Sequence, residues 1–128
     1  MCLDVVNHRN FPPLTETGIG YKCFMTNELL KEYYTPLQRS KNGPFIIGEW
    51  VEDDNKYSIE CDGLAGGLYM SGFHIFSNIN AALWFANIYP KNINAICKVE
   101  YTNIVAVGAQ SMRSVIVARK IRIIEQCV

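Results

Sequence analysis

Apolar and polar residues alternate with a period of two along much of this chain, the pattern of β-strands that turn one face to a core and the other to water. Cys97 and Val99, for example, alternate with Lys98 and Glu100. Other segments indicate strands because they are rich in aromatic and β-branched residues. The strands predicted in these two ways are 1–6, 21–25, 45–51, 57–61, 72–76, 95–101, 104–108 and 114–124.

Two parts of the chain allow more than one structure. Residues 27–34 fit either one turn of helix or a second strand, and Pro36 ends either one. In the last strand, the apolar phase of 121–123 places Arg119 on the apolar face when it is extended backwards. Either a bulge shifts the phase there, or Arg119 enters the interior and finds a carboxylate or carbonyl partner.

One helix is predicted, with Ser77 or Asn78 as its cap, because either side chain can accept hydrogen bonds from the free amides of a first turn. Apolar residues at helical spacing follow, and Pro90 ends the run. Trp84 lies off the apolar stripe, so the helix packs on more than one side. The predicted fold is α+β: a curled, mostly antiparallel sheet with one main helix, about 78–88, packed on one face.

The chain has the length of a single domain, which is therefore predicted over residues 1–128. Twelve basic side chains balance twelve acidic ones, so there is no charge excess for duplex nucleic acid or an anionic membrane. Neutral charge and many aromatic residues favour a protein or a small molecule as the partner. No apolar run approaches the roughly twenty residues that a membrane-spanning helix needs.

The five cysteines are widely spaced and include no Cys-x-x-Cys pair. An odd number of separated cysteines indicates reduced thiols and a cytoplasmic protein. The glycine-rich segment 62–67 lacks the lysine and the serine or threonine of a phosphate-binding loop. No metal or other cofactor is therefore predicted, and an unpaired edge at the first or last strand would allow a homodimer.

His74 is the first candidate for a site, because it lies on a short strand between a glycine turn and a helix cap. In a cleft at the strand end it would act as an acid, a base or a hydrogen-bond donor. The alternative is a structural histidine whose ring bonds the glycine-rich segment or the helix start. Cys2 is the second candidate: removal of Met1 would give its thiol an α-amine as a built-in base, and the alternative is packing in the first strand.

Exposed aromatic and arginine side chains dominate binding hot spots, and this chain has many aromatic residues for its size. Segment 108–113 joins two predicted strands, so it forms either a contact tip or a solvated hairpin turn. The residues predicted to contact a partner are Gln110, Met112, Arg113, Trp50 and Tyr34.

Several short motifs, in this order, resemble a loose group of small, mostly uncharacterised proteins of bacteriophages and prophages. They are Met1-Cys2-Leu3, Tyr21-Lys22, Tyr34-Thr35-Pro36, Gly72-Phe73-His74 and Val117-Ala118-Arg119-Lys120-Ile121. The resemblance covers most of the chain. It implies a viral accessory protein that works in the cytoplasm of a host cell, and it implies no reaction.

The segment from Gly72 to Phe76, with a helix after it, also resembles the strand and helix of ADP-ribosyltransferase-like folds. That resemblance implies a nucleotide or NAD-like ligand held by His74, Tyr69 and Phe76. The chain departs from the family because it has no Glu-x-Glu or Gln-x-Glu pair.

Two functions follow from these observations. The first is a non-enzymatic accessory protein that binds a host protein or a small defence signal, with inhibition of a host defence system as its use. The second is a small or degenerate enzyme of ADP-ribosyltransferase-like type that acts on a nucleotide or an NAD-like ligand.

Overall fold

The computed structural model describes residues 3–27, 29–35, 44–53, 59–61 and 68–128. Within those ranges the chain forms nine strands and one helix. The strands are β1 (Val5–Leu14), β2 (Gly18–Asn27), β3 (Glu32–Tyr34), β4 (Trp50–Glu52), β5 (Ile59–Cys61), β6 (Leu68–Met70), β7 (Phe73–Phe76), β8 (Ala95–Gln110) and β9 (Arg113–Gln126), and the helix α1 is Ile79–Ile88.

The prediction of an α+β fold with a main helix is wrong, because the structure is essentially all β with one short helix. The helix itself lies where the sequence predicts it. Asn78 caps α1, and its side chain accepts a hydrogen bond from the amide of Ala81 at 2.9 Å. Only Ala81, Ala82 and Phe85 of α1 are buried, so the helix covers a small part of the sheet.

A long antiparallel hairpin of β8 and β9 is the centre of the main sheet. β8 pairs on its other side with β2 and β1, and β9 pairs on its other side with β7 and β4. A bridge between Tyr21 of β2 and Phe76 of β7 joins the two sides. The sheet therefore closes on itself through β8, β2, β7 and β9, while β5 and β6 form a separate two-stranded sheet.

The described core has two apolar clusters. The inner cluster contains no residue of α1; its larger members are Phe24, Tyr33, Phe45, Phe73, Ile75, Val99, Tyr101, Ile121 and Ile123. The helix cluster lies against α1 and includes Phe85 and Phe76, whose ring centroids are 5.6 Å apart. Because the closed sheet buries the inner cluster without a helix, the fold needs no second helical layer.

Two of the predicted strands merge into one. The sequence predicts separate strands over 95–101 and 104–108, but β8 runs through both. Asn103, which lies between them, adopts a φ of 60° without ending the pairing with β9. Asparagine tolerates this left-handed conformation better than most residues, so the strand bends there and continues.

In one further segment the structure corrects a prediction, and in another it agrees with one of two predicted alternatives. The predicted strand over 45–51 shortens to β4, because Gly48 adopts a φ of 90° in a turn before it. In 27–34 the strand alternative is correct, since β3 pairs with the end of β2.

The first strand lies at an edge of the sheet and is shifted along the chain, because β1 begins at Val5 and so overlaps the predicted strand 1–6 only at its last two residues. β1 runs through Pro12 and Pro13, which an edge strand tolerates because one row of its amides has no partner strand. β1 also approaches β8 very closely. A Cβ atom on Gly108 would lie 1.9 Å from the carbonyl oxygen of Val5, so a side chain at this position would force β1 away.

Arg119 lies in the interior, at 4% exposure, so the interior alternative is correct. β9 keeps its phase there, since Val117 and Ile121 are buried as well. The guanidinium donates hydrogen bonds to the carbonyl oxygens of Ser71 at 2.6 Å and Asp53 at 2.7 Å, and the Asp53 carboxylate is 3.7 Å away. Because Asp53 follows β4 and Ser71 precedes β7, Arg119 joins these two strands where they meet β9.

We expect Arg119→Met to lower the free energy of unfolding by about 3 kcal/mol or more, because it removes a buried guanidinium group from two carbonyl oxygens and from the Asp53 carboxylate. Urea unfolding at pH 7 measures the loss. Arg122→Met is the matched control, since Arg122 pairs with Glu100 at the partly exposed surface, where removal of the pair costs about 1 kcal/mol or less. Equal losses in the two variants would contradict the prediction.

Candidate functional site

His74 lies in the core at 5% exposure. Its Nε2 atom is 3.2 Å from the hydroxyl oxygen of Tyr69, which accepts a hydrogen bond from the amide of Leu3 at 2.9 Å. A hydroxyl group can accept and donate at the same time, so Tyr69 can donate to an unprotonated Nε2 while it accepts from Leu3. The ring also makes a hydrogen bond with the backbone of Gly72. Both nitrogens of a neutral imidazole are thus satisfied.

Burial lowers the pKa of His74 from 6.5 to about 3, and the nearby ammonium group of Lys22 lowers it further in the same direction. The imidazole is therefore uncharged at neutral pH. A base with so low a pKa takes up almost no protons near pH 7, so this environment does not suit general acid–base chemistry.

Lys22 is a second buried titratable group beside His74. Its Nζ atom donates to the carbonyl oxygen of His74 at 3.0 Å and lies 5.9 Å from the centroid of the Phe73 ring. Burial lowers the pKa of Lys22 from 10.5 to about 8, although the negative charge of Asp53 acts in the opposite direction. Lys22, Arg119 and Asp53 thus place two basic groups and one acidic group in the described core.

The three residues predicted to bind a ligand lie together in the core. Tyr69 and Phe76 are each 3% exposed, and both belong to the helix cluster. A ligand would contact these rings and His74 only after the surrounding core had moved. The geometry therefore favours the structural role of His74 among the two that the sequence leaves open. Cys2 and the glycine-rich segment 62–67 lie outside the described residues.

The residues predicted to contact a partner lie at two separate ends of the β8–β9 hairpin. Gln110, Met112 and Arg113 are at its turn, where Gln110 pairs with Arg113. Trp50 pairs with Arg122, nine residues further along β9, which at about 3.3 Å per residue is roughly 30 Å away. Tyr34 pairs with Met25 at the end of β2 that is far from the turn. The structure thus does not join the five residues into one surface.

The turn of the β8–β9 hairpin is built from residues that rarely form such a turn. Ser111 has a φ of 49° and Met112 a φ of 64°, the left-handed values that a two-residue type I′ turn requires. Asn-Gly and Asp-Gly are preferred there, because a side chain in this conformation costs about 1–2 kcal/mol per residue. Met112 is nevertheless present, and it is 98% exposed.

Contacts from two other parts of the chain hold this turn in place. The carboxylate of Asp4, just before β1, accepts a hydrogen bond from the amide of Ser111 at 2.6 Å. The guanidinium carbon of Arg113 lies 3.6 Å from the centroid of the Trp84 ring on α1, and Nη1 donates to the carbonyl oxygen of Ser111 at 2.8 Å. We call Met112, Arg113, Ser111, Trp84 and Asp4 the tip surface.

Sequence reasoning missed two members of the tip surface. Asp4 carries no motif, and its contact with Ser111 spans 107 positions. Trp84 could have been found from its place off the apolar stripe of α1, because an aromatic ring there must pack on something other than the sheet. That neighbour is Arg113. Gln110 is not part of the tip surface. Its side-chain oxygen is buried and has no hydrogen-bond partner among the described residues.

Trp50 and Tyr34 have partners within the chain. The Trp50 ring has the guanidinium carbon of Arg122 at 4.9 Å and Nζ of Lys120 at 5.7 Å from its centroid, and the residue is 37% exposed. The Tyr34 hydroxyl donates to the carboxylate of Glu32. Both side chains are thus engaged locally, in contrast to Met112.

Comparisons with known proteins identify no family for this chain, because no family model, curated protein or solved structure matches it. Over the described ranges, no three His, Cys, Asp or Glu side chains form a group that could hold a metal ion. No helix in the same ranges has both the length and the apolar character needed to cross a membrane.

We expect the free energy of unfolding to fall as the pH drops from about 6.5 towards 3. Over this window the unfolded chain binds a proton at His74, whereas the folded chain does not. The free energy of unfolding therefore falls by up to about 1.4 kcal/mol for each pH unit. Denaturant unfolding of the wild type and of His74→Gln at a series of pH values isolates the contribution. Parallel profiles for the two proteins would contradict the assignment of a buried, neutral imidazole.

The buried lysine gives the same direction of change in an alkaline window. We expect the free energy of unfolding to rise between pH 8 and 10.5, because the folded chain gives up the Lys22 proton while the unfolded chain still binds it. Lys22→Met should lack this rise, and the difference between the two profiles removes the contribution of other groups. A variant that retains the full rise would show that Lys22 is not the group responsible.

Proposed function

We propose that this chain is a small non-enzymatic accessory protein of phage type that binds a host protein through the tip surface, and that binding inhibits that protein. The phage origin rests on the motifs from Met1-Cys2-Leu3 to Val117–Ile121. The binding role rests on Met112, which is fully exposed in a strained turn. That single observation carries the proposal.

Met112 is unfavourable in the free chain for two reasons. Glycine at this position would relieve the left-handed strain, and a polar residue would remove the contact of an apolar side chain with water. The methionine gains nothing from packing within its own chain, because it is 98% exposed. Backbone strain of this kind persists where a function uses it. A flexible thioether side chain suits insertion into an apolar pocket of another protein.

The neighbours of Met112 have the composition of a binding hot spot. Trp84 and Arg113 stack at 3.6 Å, and arginine and tryptophan are two of the residue types that dominate interface energies. The contacts of Asp4 and Arg113 with Ser111 fix the turn before any partner arrives. A surface fixed in this way loses little conformational entropy on binding, which favours affinity.

The enzymatic alternative has no comparable support. Its central residue, His74, is buried, and its ring nitrogens bond Tyr69 and the backbone of Gly72. We therefore propose a stoichiometric binder and not an enzyme.

We expect Met112→Gly to raise the free energy of unfolding by about 1 kcal/mol and to abolish partner binding, because it relieves strain and removes the exposed side chain. Urea unfolding measures the first effect. Quantitative mass spectrometry of bacterial proteins retained by the immobilised chain measures the second.

Leu29→Ser is the matched control for this experiment. Leu29 is 94% exposed and lies in the turn after β2, far from the tip surface. The protein retained by the wild type should be retained equally by Leu29→Ser and lost, about tenfold or more, with Met112→Gly. Equal retention by all three chains, or a Met112→Gly chain that is less stable than the wild type, would contradict the proposal.

A further inference from the structure

We infer that the tip surface recognises an acidic segment of its protein partner, in which an aspartate or glutamate carboxylate pairs with Arg113 next to an apolar side chain that contacts Met112. This inference rests on the proposed function and adds the chemistry of the partner. Two arginine side chains of the described residues lie against a tryptophan ring, Arg113 on Trp84 and Arg122 on Trp50, and only Arg122 also pairs with a carboxylate.

The first stack leaves Arg113 ready for an anion. The guanidinium carbon lies 3.6 Å from the centroid of the Trp84 ring, and in the described part of the chain only Nη1 has a hydrogen-bond acceptor, the carbonyl oxygen of Ser111. Stacking on an aromatic face leaves the edges of a guanidinium group free for hydrogen bonds. Among the described residues no carboxylate lies within salt-bridge distance of Arg113. The guanidinium group is thus held in place without an ion-pair partner among the described residues.

In the second stack, the arginine has a counter-charge within the chain. Arg122 lies against the ring of Trp50, as Arg113 lies against Trp84, but it also pairs with the carboxylate of Glu100 in the same sheet. The two sites differ in that carboxylate and in the distance from the guanidinium carbon to the ring centroid, which is 3.6 Å at Trp84 and 4.9 Å at Trp50. By this comparison, the group missing beside Arg113 is a carboxylate, and a partner protein can supply it.

The charges around the turn favour a carboxylate over a phosphate group. The amide of Ser111, which would otherwise be a donor for an anion, is bound to the carboxylate of Asp4 at 2.6 Å. Asp4 repels either anion, but one guanidinium group offsets the single negative charge of a carboxylate and only half of the charge of a dianionic phosphate group. Phosphate sites usually combine several cations or backbone amides.

The apolar part of the recognised segment follows from Met112. Its side chain is adjacent in sequence to Arg113 and fully exposed, so a segment that reaches the guanidinium edge also passes Met112. Charge pairing and apolar contact at neighbouring positions would define both where the partner binds and in which register.

The experiment selects peptides from a displayed library of random sequences on the immobilised full-length chain. We expect the enriched peptides to share an aspartate or glutamate beside an apolar residue. A synthetic peptide of the enriched sequence is then titrated against the wild type, Arg113→Lys, Arg122→Lys and Met112→Gly, with circular dichroism to verify that each variant is folded. Arg122→Lys is the matched control, because it alters the other stack.

We expect Arg113→Lys to weaken binding of the peptide about tenfold, since lysine retains the charge but loses the stacked, forked geometry. Arg122→Lys should change affinity less than about twofold. Replacing the acidic residue of the peptide by its amide should weaken binding to the wild type about tenfold and have little further effect on Arg113→Lys, which a double-mutant cycle measures. Binding should also weaken as the salt concentration rises.

The possible failures are distinguishable. Peptides that depend on Met112 but carry no acidic residue would overturn the carboxylate inference and leave the proposed function intact. Competition by inorganic phosphate at millimolar concentration would overturn it in favour of a phosphate group. An absence of enriched peptides, or peptides that bind all four chains equally, would count against both the inference and the proposed function.

Discussion

The fold depends on the antiparallel pairing of β8 with β9. Every other strand of the main sheet except β3 pairs with one of these two, and the hairpin extends from the tip surface at one end to the pair Cys97 and Gln126 at the other. Since β2 and β7 also meet, the pairing closes the sheet and buries the inner cluster. The same hairpin therefore forms the core and presents Met112 to solvent.

Closure of the sheet also explains why charged groups lie inside. Where β4 and β7 meet β9, backbone carbonyl groups of Ser71 and Asp53 turn inward and are bound by Arg119. Lys22 binds a third carbonyl group, that of His74. Buried polar groups need such partners, and a set of partners this specific favours one arrangement of strands over its alternatives.

The sequence predicts the elements better than their arrangement. The alternation around Ile121 and the cap at Asn78 lead to the correct strand and helix, because both depend on neighbouring residues. The burial of His74 could not be predicted, since all four residues of β7 are buried and period two carries no information when both faces are covered. The tip surface was predicted in part: segment 108–113 was named, but Trp84 and Asp4 reach it only through the tertiary fold.

Trp84 is an intrinsic fluorophore within the tip surface. The chain has two tryptophans, one under Arg113 at the tip surface and one, Trp50, at the distant end of the hairpin. An indole ring 3.6 Å from a guanidinium carbon experiences a strong local field, which changes when that cation gains a counter-charge. Intrinsic fluorescence would therefore report on a partner that pairs with Arg113 at this end of the sheet, with the second indole as an internal reference.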